Sequence, residues 1–184
     1  MKNKFIFLFL ILNISLMSQD FIPPIDSLTG KITYSSVVEI PFSISAESLN
    51  DHVKDFFISR FSTLKKVNQS QINNSFSAEY EIPVYVRNLN KEWLSGYVIF
   101  NIKIDCKDNK YRYVFTDFYH VDHMGNSNKD LGPLESIIGK NDRKMGVSQG
   151  KYYQGYLKQV DEFVLSLKND LYSSIINVNS KSDW

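Results

Sequence analysis

The densest run of side chains able to hold a metal or move a proton is His120-Val121-Asp122-His123, with Asp117 three positions before it. In an extended strand His120 and Asp122 point the same way, and His123 follows where a loop begins, so metal-ligating atoms come from three of four consecutive residues. A catalytic zinc or an acid–base pair needs more than this: partners converging from separate elements around a cleft. The strand pattern gives Asp117 no second carboxylate or histidine as a companion. Asp117, Asp122 and His123 therefore form a candidate polar site, which becomes a small hydrolase or metal-dependent enzyme only if they and His120 converge. The plainer expectation is a solvated strand end and a structural aspartate, with no catalytic, cofactor-binding or metal residue. The chain has no Gly-rich phosphate loop, no Gly-x-Ser-x-Gly elbow and no His-Glu-x-x-His, so a non-enzymatic protein without a cofactor is expected.

The element that must position these residues is Tyr97 to Val121, YVIFNIKIDCKDNKYRYVFTDFYHV, which reads as a β-hairpin closed at Asp108-Asn109. Asn and Asp tolerate the positive φ that such turns demand. A two-residue turn makes Lys107 face Lys110, and the same register pairs Ile104 with Tyr113, Ile102 with Phe115, and Asp105 with Arg112. A slip of one residue would place Lys103 and Arg112 in the apolar row. Continued without interruption, this register sets Asp117 opposite Phe100 on the apolar face, where a carboxylate must find hydrogen-bond donors. It also pairs Ile99 with Phe118 and Tyr97 with His120 on the other face. Those four residues are a candidate partner surface, unless a loop folds over them. Lys107, Lys110 and Arg112 look too few, and too mixed with acids, to make a binding patch. Tyr111, Tyr113, Tyr119, Tyr152, Tyr153 and Tyr156 suggest sugar stacking, but most fall on core rows.

The remaining chain supplies the layers. Lys31 to Ile40 alternates as a half-buried strand, and Ser45 is a fair N-cap for an amphipathic helix over 46–61. Leu64 to Gln71 is a weaker strand, and Phe76 to Arg87 alternates almost without error, with Pro83 requiring an edge or a bulge. A polar loop, Asn88 to Glu92, leads to the hairpin. Residues 122–152 read as a long polar loop with one helical turn at Pro133 to Ile138. From Tyr153 an apolar stripe runs at helical spacing to about Ile176, and 177–184 reads as a flexible tail. The expected fold is α+β: a two-layer sandwich with an antiparallel sheet of about five strands and two helices on one face, in the order β-α-β-β-β-β-α.

Lys2 and Lys4 precede the eight apolar residues Phe5 to Leu12, and Ser15 and Ser18 follow. That pattern is a signal peptide over 1–18, cleaved near Ser18-Gln19, and it is shorter than the roughly 20 apolar residues of a spanning helix. Residues 19–30 form an extended leader, and 31–176 a single domain. Cleavage removes two lysines and no acid, leaving 19 basic residues against 20 acidic ones. A chain so near neutrality lacks the footprint of a nucleic-acid binder. Cys106 is the single cysteine, so no intrachain disulfide forms and none is placed to accept a lipid. The expected location is the periplasm or the extracellular space, with no membrane span in the mature chain.

The segments DSLTGKITYSSVVEI and KDNKYRYVFTDF, the amphipathic helix between them, and Leu134-Glu135 before a final helix resemble the DUF4468 domain family, whose members are exported proteins of Bacteroidetes with a TBP-like fold. The resemblance spans roughly Ile25 to Ile176, is most specific over Lys107 to Phe118, and departs over Gly125 to Gly150. It implies the element order already reached and no activity, and the TBP-like label describes topology without importing DNA binding. The expected role is that of a domain of unknown function binding a protein or cell-envelope component through the open sheet face and loop 122–152. A purely structural envelope protein is the remaining alternative.

Overall fold

The computed structural model describes residues 21–61, 66–70, 73–88, 91–123, 130–138 and 147–179. The signal peptide expected over 1–18 lies outside them. The elements are β1 (Tyr34–Glu39), α1 (Ala46–Arg60), β2 (Lys66–Ser70), β3 (Ser75–Asn88), β4 (Lys91–Lys107), β5 (Lys110–Asp122), β6 (Gly132–Pro133), a 3-10 turn (Leu134–Ile137) and α2 (Val147–Asn179). The strands form one antiparallel sheet in the order β1-β5-β4-β3-β2, with the two-residue β6 pairing β5 beyond the end of β1. The α+β two-layer architecture follows directly from the alternating strand rows.

Both helices pack on one face. α1 buries Leu49, Val53, Phe56 and Phe57, and the Phe57 ring stacks on Phe76 of β3 at 5.0 Å. α2 brings Phe163 to Tyr80 at 5.6 Å and to Phe100 at 6.0 Å, so it covers β3 and β4. Phe61 and Phe163 meet between the helices, and Arg60 bonds Asp170 at 2.9 Å. Fully burying one such ring is worth about 1.5–3 kcal/mol, so this aromatic layer, more than helix propensity, fixes the arrangement. The Ser45 hydroxyl accepts from Ser48 N, as expected of the N-cap.

The hairpin turn is held by more than its own chemistry. Asn109 has φ of 61°, whereas Asp108 is not in the left-handed region, so only one of the two residues supplies the positive φ. Their side chains reach outward instead: Asp108 Oδ1 accepts from Ala46 N, and Asn109 Oδ1 from Ile44 N. Ile40 N also donates to Asn109 O, which ties the turn to the segment between β1 and α1.

Pro83 sits where β2, which pairs only with Ser75–Glu79, no longer covers β3, and a register shift follows at Val84/Tyr85. The Gln159 amide of α2 occupies the freed backbone, accepting from Tyr85 N and donating to Tyr85 O, both at 2.9 Å. Two elements run well beyond their expected bounds. α2 begins at Val147 and continues to Asn179, which takes residues from the segment expected as loop and from the expected tail. Its early turns carry Gly150 and Gly155 and little apolar content, so the stripe shows in the sequence only from Tyr153. β4 starts at Lys91, six residues before the expected hairpin and inside the expected loop over Asn88 to Glu92.

Candidate binding face

The expected register holds from Lys107↔Lys110 to Asn101↔Thr116, including the Asp105/Arg112 pair at 2.6 Å. It then shifts by one, and Ile99 faces Tyr119 instead of Phe118. Phe100 is opposed by both Asp117 and Phe118, and Asp117 has φ of 60°. This is a β-bulge whose first residue takes the left-handed conformation. The balance favours it. One left-handed Asp costs at most about 1–2 kcal/mol, while burying Phe118 returns a similar amount or more and keeps the rest of the row on its proper face.

The shift corrects three sequence expectations. Asp117 does not lie in the apolar row: it is turned to the open face, where it pairs with the Lys31 ammonium and accepts from Asn101 Nδ2 at 3.0 Å. The Lys31 bond, followed by that of Asn101, holds its carboxyl below the usual range. Phe118 is fully buried against Phe100 and Tyr34. His120 is also buried, with its ring stacked on Tyr156 of α2 at 5.3 Å. Neither belongs to an open partner surface, because one extra residue exchanges the two faces of the strand beyond it.

Around His120 the packing is close. Leu131 N donates to its Nδ1 at 3.4 Å, while Nε2 lies over Gly96 without a hydrogen-bond partner among the described residues. A Cβ at Gly96 would come within 2.2 Å of Val121 O and 2.8 Å of that Nε2, so only glycine fits. Burial depresses the imidazole pKa, with Asp130 and Asp122 opposing. His123 Nδ1 stands 3.7 Å from Asp122. Asp117 and His120 lie on opposite sides of the sheet, and no group of three or more metal-ligating side chains assembles among the described residues.

Tyr97 and Ile99 keep their expected place on the open face, and their neighbours are Val121 and Tyr119. The cross-strand rows read Pro83, Tyr97, Val121 and then Glu81, Ile99, Tyr119, Pro133, with Tyr85 and Leu94 adjoining. Tyr119 and Tyr85 are 42% and 41% exposed, so both rings remain open to solvent, that of Tyr85 even though Gln159 clamps its backbone. The clue was in the sequence. Phe115 and Phe118 are spaced by three instead of two, and an aspartate appeared in an apolar row, which a bulge resolves at once.

An antiparallel sheet with two helices on one face and an open, partly aromatic surface on the other defines a TBP-like α+β domain. Residues 34–121, from β1 to β5, match the family model of DUF4468, a domain of unknown function with TBP-like fold. Solved structures of similar fold include two from Bacteroidetes. A TBP-like protein from Parabacteroides distasonis ATCC 8503 is 19% identical with a TM-score of 0.62, over 82% of this chain and 95% of that one. A DUF4468 family protein from Bacteroides ovatus ATCC 8483 is 14% identical with a TM-score of 0.58, over 80% and 90%. At these identities the likeness is one of fold. No curated protein matches the chain. No helix among the described residues is long and apolar enough to cross a membrane.

Proposed function

We propose that this protein is an exported, non-enzymatic binding module whose partner, a protein or cell-envelope component, docks on the open sheet face around Tyr97, Ile99, Tyr119 and Val121. The observation that carries the reading is the row of apolar and aromatic side chains on the face that neither helix covers. Contiguous exposed apolar surface on an otherwise well-packed domain marks interaction sites, and tyrosine supplies contact area with little entropy to lose. Export rests on the pattern of residues 1–18 and on the Bacteroidetes origin of the similar structures.

The test places a photo-crosslinking residue at Tyr119, and at exposed Lys158 of α2 as a control, in the exporting bacterium. A defined product formed only from position 119, and lost when Ile99→Glu is added to a still-folded protein, supports the reading. Equal products from both positions, or a product indifferent to Ile99→Glu, would show that the open face is not the docking surface.

A further inference from the structure

The other end of the open face, beside the β4–β5 turn, has a different chemistry. A cleft of about 530 Å³ opens there, lined by Val37, Lys103, Asp105, Lys107, Lys110 and Arg112. The register explains the crowding. Lys107 stands directly opposite Lys110, Arg112 lies between Asp105 and Val37, and Lys103 is one step further along the same face of β4. The linear sequence shows three cations near the turn, and the paired strands make them four around one concave surface.

The charges there do not cancel. Asp105 accepts from Arg112 at 2.6 Å, from Ser75 at 2.9 Å, and stands 3.3 Å from Lys103, so one carboxylate is shared by two cations. Burial is the largest single effect on that carboxyl and raises its pKa, but the hydrogen bonds from Arg112, Ser75 and Lys103 together bring it below the usual range. Asp105 therefore stays ionised and already committed. Asp108 spends Oδ1 on Ala46 N, and Glu39, although opposite Lys110 in the register, makes no ion pair with it. Lys107 and Lys110 have no ion-pair partner among the described residues. Like charges directly opposite on a strand pair are destabilising, and two exposed positions beside a turn have no packing need for lysine. The excess is local, because the whole chain carries only +1.

We infer that this cleft binds the phosphate group of a small phosphorylated ligand, a phosphomonoester carried by a sugar or by a lipid headgroup. Lys107 and Lys110 meet the phosphate as point charges, Lys103 and Arg112 donate from the far wall, and exposed Val37 contacts the apolar part of the ligand. The volume suits a ligand of that size. The inference rests on the open face being the binding surface, yet it is separable from the apolar end: Asp105 and Ile99 are six residues apart on β4, about 20 Å.

The experiment follows backbone amide shifts of the isotopically labelled protein during titration with glucose 6-phosphate and with glucose, and flotation with phosphatidylcholine vesicles with and without phosphatidic acid. Glucose 6-phosphate should shift the amides of 103–112 where glucose does not, with affinity falling about tenfold or more in Lys107→Gln/Lys110→Gln and unchanged in Lys158→Gln at an exposed position of α2. Flotation that needs phosphatidic acid and is lost in the same double variant would identify a lipid headgroup as the source. Its absence, with the sugar phosphate still bound, identifies a soluble ligand. The inference is overturned if neither probe acts at 103–112, if shifts spread over all lysines regardless of the double variant, or if a single-stranded oligonucleotide binds this cleft more tightly than any phosphomonoester. None of these outcomes alters the crosslinking result at Tyr119, so the two readings fail separately.

Discussion

Asp117 shows how one residue decides what a strand presents. Its φ of 60° is acceptable to Asp, Asn or Gly and costly for a β-branched side chain. Its ion pair with Lys31 is solvent-exposed and therefore screened, so the conformation outweighs the charge. Asp117→Asn should shift the chemical-denaturation midpoint little, whereas Asp117→Val should cost about 1–2 kcal/mol more than Asn. Equal stabilities for Asn and Val would mean that the left-handed conformation carries no weight. The hairpin near its turn was legible because one register matched charge at Asp105/Arg112 and burial at Ile104/Tyr113 and Ile102/Phe115. Beyond that the period-two reading failed, because it has no place for a residue that belongs to neither face.

At the scale of elements, the segment from Asp130 to Pro133 is strapped to β5 by main-chain pairing, by Asp130 Oδ1 accepting from Asp122 N at 2.7 Å, and by the His120 imidazole accepting from Leu131 N. The charged groups around that imidazole are Asp122 and Asp130, with the Tyr156 hydroxyl engaged by Ser95 at 2.5 Å. Burial lowers the folded-state pKa of His120 below 6.5, so the unfolded chain takes up the proton more readily. The associated stability is complete above about pH 6.5 and is lost as pH falls through the folded value. Melting temperature should therefore drop between pH 7.5 and 5.5, and His120→Phe, which keeps the stack on Tyr156, should flatten that slope. An unchanged slope in the variant would assign the effect to other groups. This strap was only half legible. Pro133 and Leu134-Glu135 announced the helical turn, but β6 is two residues long and carries no period to read.

Across the whole molecule, the two-layer fold was readable because strand alternation and helical spacing each name a buried face, and a single arrangement satisfies them all. What escaped was set by long-range contacts, the Gln159 clamp on Tyr85 and the gathering of Lys103 with the turn cations, or, at the start of α2, by a stretch with little apolar content. Cys106 reports on the integrity of the assembled core. It is 4% exposed, and burial, with the Asp105 charge second, pushes its thiol up to about 12. A thiol reagent at pH 8 should modify it at least roughly a hundredfold more slowly in buffer than in denaturant. Labelling at the unfolded rate would mean that the sheet end beside the turn opens freely.

The bulge at Asp117 can also be regarded as a dislocation in a lattice of period two. Everything after it on β5 is displaced by half a period, so the lattice before the defect builds the cationic end of the open face and the lattice after it builds the aromatic end. Were Asp117 paired regularly with no bulge, Phe118 and His120 would emerge into solvent, Tyr119 and Val121 would turn under α2, and Gly96 would lose the imidazole that it accommodates. The same residues paired without that defect would thus exchange the chemistry of one half of the binding face while leaving the other half as it is.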